Sequence, residues 1–306
     1  MTHFLPEGYL INTKENEARI SSLDGFTTAF NERAFVEARA DYCDCDHNLH
    51  INLGFIEGII PREECAMGIA DGQTKDIAII ARVNKPVKFI IERIVTEEGK
   101  KIAYLSRRKV QELFTNEYLS QLTAGDIIDA TITHLEQFGA FCDIGCGVNA
   151  LLPIDNISVS RIPHPSARFS IGENIKAIIR SFDEHGRAIL THKELLGTWE
   201  ENASLFQVGE TVSGVIRSVE NYGVFVELTP NLSGLAEFTE NVCEGDYVSV
   251  YIKSIIPEKM KFKLVIVDAF KADYKPNKPR YFYDSDHIDS FCYSPADSTK
   301  IIETTF

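Results

Sequence analysis

The sequence predicts an all-β protein made of three tandem five-stranded barrels, with a short helical segment before them and a tail after them. The main observation is an internal repeat, because residues 125–144 align without a gap with residues 209–228. Within both copies apolar and polar residues alternate with period two, as half-buried strands require. A length of 306 residues is enough for two or three domains of ordinary size.

Each copy of the repeat continues in the same order. A second matching stretch begins at Gly172 and at Gly245, and each copy closes on a short strand that starts at Arg187 or at Lys261. Five short strands in this order are typical of the Greek-key barrel of the oligonucleotide-binding (OB) fold. The predicted domain bounds are 1–34 (N-terminal segment), 35–115, 123–197 and 206–270 (barrels, the last with a shortened loop), and 271–306 (tail).

Residues 123–197 resemble an S1 RNA-binding domain throughout, and residues 206–268 resemble it with one deletion. The resemblance lies in these motifs, in chain order: Gly125-Asp, Phe138-Gly-Ala-Phe141, Leu151-Leu-Pro153, His164-Pro, Phe169-Ser-Ile-Gly172, Asp183-Glu-His-Gly-Arg187 and Thr191-His-Lys193. The stretch from Leu195 to Ala203 also resembles ribosomal protein S1 homologues of Gram-positive, clostridia-like bacteria. An S1-type barrel is therefore expected for both copies.

A weaker third copy lies upstream, between residues 35 and 115. Aligning Gly54 with Gly145 places His47 at the position of Phe138 and His50 at the position of Phe141. These histidines either stack on bases or are surface residues of a divergent barrel. The sequence leaves both interpretations open.

Two glycines within predicted strands, Gly139 and Gly223, indicate bulges. A bulge would bring Phe138 and Phe141 onto one face, and likewise Tyr222 and Phe225, although residues three apart on a regular strand face opposite sides. Two aromatic rings on one exposed face form a platform on which bases can stack. The alternative is that these rings belong to the hydrophobic core.

The resemblance implies which residues face RNA. In the middle barrel they are Phe138, Phe141, Asp183 and Arg187, and in the last barrel they are Tyr222, Phe225 and Lys261. The third-strand position, often a histidine in S1 domains, is Pro153 in one copy and Glu237 in the other. A proline side chain has no hydrogen-bonding group, so no polar base contact is expected from Pro153.

The long loop of the middle barrel carries two arginines and a histidine and is predicted to form a cationic patch. Arg161 and Arg168 are expected to contact the RNA backbone, whereas Phe169 is expected to plug the barrel. In the last barrel this loop is shorter, and residues 198–270 hold 5 Lys and Arg against 11 Asp and Glu. The last barrel is therefore predicted to be the weaker RNA binder or a protein-docking module.

The net charge of −14 argues against binding duplex nucleic acid through charge alone. It leaves open the binding of single strands by stacking beside a local cationic stripe. No Gly-rich phosphate loop and no nucleophile elbow is present, so the chain is predicted not to be an enzyme and to need no cofactor. Its seven cysteines lack zinc-site spacing, which predicts no metal site and reduced thiols in the cytoplasm.

The N-terminus lacks the pattern of a signal peptide, and no apolar run is long enough to span a membrane. Residues 12–34 are predicted to be helix or coil. The tail, punctuated by aromatics from Tyr274 to Tyr293, is predicted to pack on the last barrel, with a stacking surface as the alternative.

The sequence therefore predicts a cytoplasmic protein that binds single-stranded mRNA, linked to translation and the small ribosomal subunit. The alternative is an interaction scaffold whose acidic barrels dock to ribosomal or RNA-decay proteins.

Overall fold

The structure is a computed structural model that describes residues 4–97, 99–271 and 278–306. The chain forms two compact units. The first comprises Met1–Leu122, Asp129–Thr131 and Asp143–Asn149, and the second comprises Thr123–Ile128, Ile132–Cys142 and Ala150–Phe306. Among the described residues, no helix has both the length and the apolar character needed to cross a membrane.

The first unit begins with two short helices, α1 (Lys14–Ile20) and α2 (Leu23–Glu32). Each starts at a hydroxyl side chain, because Thr13 and Ser22 accept hydrogen bonds from the backbone N–H groups of Asn16 and Gly25. Its strands and remaining helices are β1 (Val36–Arg39), β2 (Tyr42–Cys43), β3 (Leu49–Asn52), β4 (Glu57–Ile60), α3 (Ile77–Ile80), β5 (Pro86–Glu97), β6 (Lys100–Ser106) and α4 (Arg108–Glu117).

The sheet of the first unit has six strands in the order β1-β5-β6-β4-β3-β2, not the five of the predicted closed barrel. The reason lies between β1 and β2, where the chain changes partners. The N–H of Ala40 still donates to Lys85, next to β5, but the N–H of Asp41 donates to His50 in β3. The two edge strands are thus consecutive halves of the first barrel strand, and the sheet is a curled relative of the closed barrels.

A buried ion pair fixes the N-terminal residues in the first unit. The Arg107 Nε and Nη2 atoms lie 2.6 and 2.9 Å from the two carboxylate oxygens of Glu7. The backbone N–H of Glu7 donates to Asp143 at 2.8 Å. Burial, together with the nearby negative charge of Glu7, raises the pKa of Asp143 to about 6.

The second unit contains most of one closed five-stranded barrel and the whole of another, with the same strand order. The middle barrel, ordered β10-β11-β9-β8-β7, and the last barrel, ordered β12-β13-β14-β16-β15, each close between the first and fourth of their strands. The strands are β7 (Ile127–Glu136), β8 (Gly139–Asp143), β9 (Asn149–Pro153), β10 (Asn174–Phe182), β11 (Ala188–Thr191), β12 (Thr211–Glu220), β13 (Gly223–Thr229), β14 (Leu232–Ala236), β15 (Tyr247–Ile256) and β16 (Lys261–Phe270). The prediction of an all-β protein of tandem OB-type barrels is confirmed.

Helix α5 (Trp199–Ala203) connects the two closed barrels and begins with a capping box. Thr198 accepts from the N–H of Glu201, whose carboxylate accepts from the N–H of Thr198. Trp199 and Leu195 are buried in the same core cluster as the inward residues of the last barrel, such as Val226. The connection is therefore packed into the unit.

The C-terminal segment contacts both closed barrels. It carries β17 (Ser290–Cys292) and β18 (Glu303–Thr305), which pair antiparallel. The N–H of Phe282 donates to Leu195 at 3.0 Å, and the N–H of Ile288 donates to Gly125 of the middle barrel at 2.9 Å. Phe291 and Tyr293 are buried, whereas Tyr274 lies outside the described residues.

Candidate nucleic-acid interface

The first ring of each predicted pair, Phe138 or Tyr222, lies in a hairpin turn. Gly223 pairs in register with Glu220, so Asn221 and Tyr222 form a two-residue turn, and the register shift lies earlier, between Ile216 and Ser218. In the middle barrel Phe138 occupies the equivalent turn before β8. The bulge prediction is wrong for Gly223, and both rings project from a turn.

The glycines after these turns allow close packing of the neighbouring strand. A Cβ atom on Gly139 would lie 2.4 Å from the carbonyl oxygen of Leu152, and one on Gly223 would lie 2.6 Å from that of Ala236. Any side chain there would push the third strand away from the second. The Phe-Gly and Tyr-Gly pairs therefore fix both the hairpin and the position of the ring.

The two ring pairs have nearly identical geometry. The centroids of Phe138 and Phe141 are 6.0 Å apart at 88°, and those of Tyr222 and Phe225 are 6.2 Å apart at 89°. Such edge-to-face contact is favourable and leaves the face of one ring open. Phe138 is 56% exposed and Tyr222 is 65% exposed, so neither belongs to the core. Phe141 and Phe225 are half-buried.

In the last barrel a row of side chains continues from the rings across the sheet. Phe225 pairs with Leu235, Leu235 pairs with Lys263, and Lys263 pairs with Ser254. In the middle barrel Leu151 pairs with Ile189 at the matching positions of the third and fifth strands. The last barrel therefore has a cation where the middle barrel has an apolar side chain.

Asp183 and Arg187 lie in the turn that joins β10 to β11. The Asp183 carboxylate accepts from the N–H groups of His185 and Arg187 at 2.8 and 2.9 Å, and from Arg187 Nε at 2.7 Å. These hydrogen bonds, first of all that from the Arg187 N–H, lower the pKa of Asp183. The acid thus orients Arg187, whose side chain remains 69% exposed.

The three residues singled out in the long loop of the middle barrel have different environments. Arg161 is exposed, and Phe169 is buried as expected. Arg168, predicted to contact the RNA backbone, is only 6% exposed, and its Nη2 atom lies 2.6 Å from Glu227 of the last barrel. That prediction is wrong because the guanidinium is taken up by a buried ion pair between the two barrels.

Lys261 lies on a groove of the last barrel with a volume of about 870 Å³. Tyr222 and Phe225 line the same groove. Among the residues that the structure describes, the charged side chains along it are these: Lys253, Lys259, Lys261, Lys263, Lys300 and Glu237. The groove is thus locally cationic, whereas the charge count over residues 198–270 predicted a repulsive surface.

The first unit has a different set of rings at the equivalent positions. The imidazole of His50 stacks on the exposed ring of Tyr42 with centroids 4.4 Å apart at 7°. The row across the sheet continues through Ile59 to Tyr104, over which the Arg93 guanidinium lies at 4.0 Å. Both nitrogens of His50 are engaged, with Asp44 at 3.0 Å and Glu57 at 3.1 Å.

Several of these residues could not be identified from the sequence. Tyr42 and Arg93 match no motif, and Lys253 and Lys300 lie 47 residues apart in the chain although they line one groove. The alternation of Lys261 and Lys263 on β16 is the signal that was available. His47, which aligned with Phe138, lies in the turn before β3 with a φ of 64°.

Five-stranded barrels with this strand order belong to the OB class. Residues 121–193 match the family described as "S1 RNA binding domain", so the chain contains an S1 domain. It is 32% identical over 233 residues to the small ribosomal subunit protein bS1 of Leuconostoc lactis, an alignment that covers 71% of this chain and 52% of that protein. It is 29% identical over 239 residues to bS1 of Staphylococcus aureus, covering 76% and 53%.

The chain therefore spans about half the length of the curated relatives it matches. Among solved structures it is similar to a multidomain protein with nucleic acid binding domains from Streptococcus pneumoniae. That match has 13% identity and a TM-score of 0.26, and it covers 77% of this chain and 74% of the other.

Proposed function

We propose that this protein binds single-stranded, weakly structured RNA by stacking bases on its two exposed ring pairs, and that it catalyses no reaction. The observation that carries the proposal is the shared geometry of Phe138 with Phe141 and Tyr222 with Phe225, each pair having one ring open to solvent. Every base has a π-face, so this mode of binding has little sequence preference. Unpaired bases are needed because a duplex keeps its bases stacked on one another.

The charge distribution supports single strands over duplexes. A net charge of −14 repels a stiff duplex, while a short cationic surface can follow one flexible strand. Arg187 and Arg161 supply exposed cations on the middle barrel, and the groove lysines supply them on the last barrel. We expect affinity to fall steeply with added salt.

The similarity to bS1, a protein named for the small ribosomal subunit, supports a role in translation. We place this protein in the cytoplasm, bound to mRNA and associated with the small ribosomal subunit. The scaffold alternative rested on the aromatic tail and on the acidity of residues 198–270. The lysines around Tyr222 favour RNA over an acidic docking face.

The test is a Phe138→Ala variant, titrated with a fluorescent oligouridylate at low and moderate salt. Loss of one stacking ring is worth roughly 1–3 kcal/mol, which weakens binding about 5- to 150-fold. The melting temperature is expected to stay unchanged, because the ring is mostly exposed.

Phe169→Ala is the matched control. Its ring is buried, so its truncation is expected to cost about 3–5 kcal/mol of folding free energy. The proposal would be contradicted if Phe138→Ala bound RNA with the same affinity as wild type at both salt concentrations.

A further inference from the structure

We infer that the C-terminal segment 293–302 forms one wall of the RNA groove on the last barrel, and that Lys300 contacts the phosphate backbone of a strand whose bases stack on Tyr222 and Phe225. This inference rests on the proposed function and deepens it. It makes the groove of the last barrel a composite site, assembled from separate parts of the chain.

Four parts of the second unit line the groove, one of them being helix α5 with Trp199. The strands β13, β14 and β16 supply Phe225, Leu235 and Lys263 in one cross-strand row. The loop of the middle barrel supplies Val159 and Ser160. The C-terminal segment supplies Tyr293, Lys300 and Ile302.

The C-terminal wall is held by hydrogen bonds on several sides. The N–H of Tyr293 donates to the carbonyl oxygen of Ile302 at 2.9 Å. The carbonyl oxygen of Tyr293 accepts from the N–H of Trp199 at 2.9 Å. The N–H of Thr299 donates to Glu258 at 3.3 Å, in the loop before β16. A wall that is ordered in advance lowers the entropic cost of binding, because the protein segment need not be ordered by the ligand.

The middle-barrel loop is held just as firmly against the last barrel. The N–H of Val159 donates to the Asn231 side chain at 3.0 Å, and the hydroxyls of Ser160 and Ser233 are 2.7 Å apart. Asn231 is fully buried. This part of the groove is therefore hydrogen-bonded to the barrel that carries the rings.

The charges along the groove identify the class of ligand. Within the described part of the chain, five lysines face one glutamate there, in a domain that is acidic as a whole. Three of these lysines, Lys259, Lys261 and Lys263, lie at or near the start of β16, and Lys300 approaches from the C-terminal segment. Lysines beside two open or half-open rings fit an anionic backbone with flat bases, which is the chemistry of a single-stranded nucleic acid.

An acidic peptide would also be attracted by lysines, but it would not require the Tyr222 ring. The experiment therefore compares the effect on RNA affinity of removing the Tyr222 ring with the effect of removing the Lys300 charge. Fluorescence titrations with an oligouridylate of about 12 nucleotides, within the site range of one such barrel, are run over a series of salt concentrations. The variants are Lys300→Ala, Tyr222→Ala and, as the matched control, Lys271→Ala.

Lys300→Ala is expected to weaken binding roughly two- to five-fold at low salt, as loss of one exposed ion pair does. It is also expected to flatten the slope of log affinity against log salt by about 0.7, the value for one contact to a single strand. Tyr222→Ala is expected to weaken binding with an unchanged slope. Lys271, exposed beyond the far end of β16, is expected to change neither quantity.

A second measurement locates the RNA directly. Photo-crosslinking of the full chain to 4-thiouridine RNA is expected to label segment 293–302 together with β13 or β16. Two results together would overturn the inference that segment 293–302 forms a wall of the groove: crosslinks on the strands alone, and a Lys300→Ala variant with the affinity and salt slope of wild type. The proposed function would remain intact. Absence of RNA binding by the wild-type chain would overturn the proposed function itself.

Discussion

Phe138 and Tyr222 are exposed because of their position in the chain, between two strands and before a glycine. A ring in a two-residue turn has no strand beyond it to pack against, so it stands out from the barrel. The following ring, Phe141 or Phe225, lies on the second strand and supports the first ring edge-on. In each pair the first ring is therefore exposed and the second, three residues later, is half-buried.

His192, in contrast to these exposed rings, is a buried titratable side chain whose hydrogen-bond partners are uncharged. Its Nδ1 atom lies 3.0 Å from the carbonyl oxygen of Ile157, and its Nε2 atom lies 3.3 Å from the hydroxyl of Tyr281. Burial, with a smaller contribution from the positive charge of Arg168, lowers its pKa to about 4. The folded protein therefore holds this imidazole neutral.

Acidification is expected to destabilise the second unit through His192. An unfolded histidine takes up a proton near pH 6.5, but the folded one does so only near pH 4. The stabilisation is complete above pH 6.5 and is lost as the pH falls towards 4, by about 3 kcal/mol in total. Urea unfolding at pH 7 and pH 4.5, followed by the fluorescence of the single Trp199, measures it.

His192→Gln removes the titration, so its stability is expected to change less between the two pH values than that of wild type. His185→Gln, on an exposed turn, serves as the control and should retain the wild-type pH dependence. Equal pH dependence for wild type and His192→Gln would contradict this account.

At the scale of elements, the barrels of the second unit are joined by side chains from loops and strands. Arg168 from the middle-barrel loop meets Glu227 on β13, and Glu227 also accepts from Arg217 Nε at 2.8 Å. Arg168 Nε lies 3.3 Å from the hydroxyl of Ser158. The loop therefore links the two barrels. Arg168 is buried in this contact, so a phosphate group cannot reach it.

Arg168→Ala is expected to lower the free energy of unfolding of the second unit by about 3 kcal/mol, since it removes one partner of a buried ion pair. The remaining bond to Arg217 keeps the loss at the lower end of the usual range. Chemical denaturation followed by Trp199 fluorescence measures this loss.

Arg161→Ala, seven residues earlier on the same loop and exposed, is the matched control and should stay within about 0.5 kcal/mol of wild type. Arg168→Ala with unchanged stability but weakened RNA binding would restore the original prediction for this residue.

At the scale of the whole molecule, charge is distributed unevenly although the total is strongly negative. The groove lysines gather on the face that carries the Tyr222 ring, and carboxylates such as Glu227 are paired within the unit. A chain can therefore repel duplexes at long range and still hold a single strand at close range.

Two ring pairs on one compact unit are expected to bind one long strand together. An oligouridylate of about 30 nucleotides should bind at least about 100-fold more tightly than one of about 8, because the second contact becomes intramolecular. Titration of both lengths measures the gain. It should shrink in Phe138→Ala and again in Tyr222→Ala, whereas equal gains in wild type and both variants would exclude joint binding.

The repeat made much of this architecture predictable. Alternation around Ile128 and Val215 defined the strands, and the paired Phe-Gly and Tyr-Gly positions located the exposed rings. The bulge at Gly223 and the role of Arg168 were mistaken because a hairpin register and an ion pair with Glu227, 59 residues away, leave no local pattern. The split first strand at Ala40 was missed for the same reason.

The sequence by itself determined the barrel type, the number of repeats and the ring pair on each closed barrel, because these depend on residues close together in the chain. Only the tertiary structure decided which cations lie beside the exposed rings. Lys300 and Lys263 line one groove, while Arg168 is withdrawn from solvent. The physical reason is that a surface potential depends on distances in space, and residues far apart in sequence set those distances only after folding.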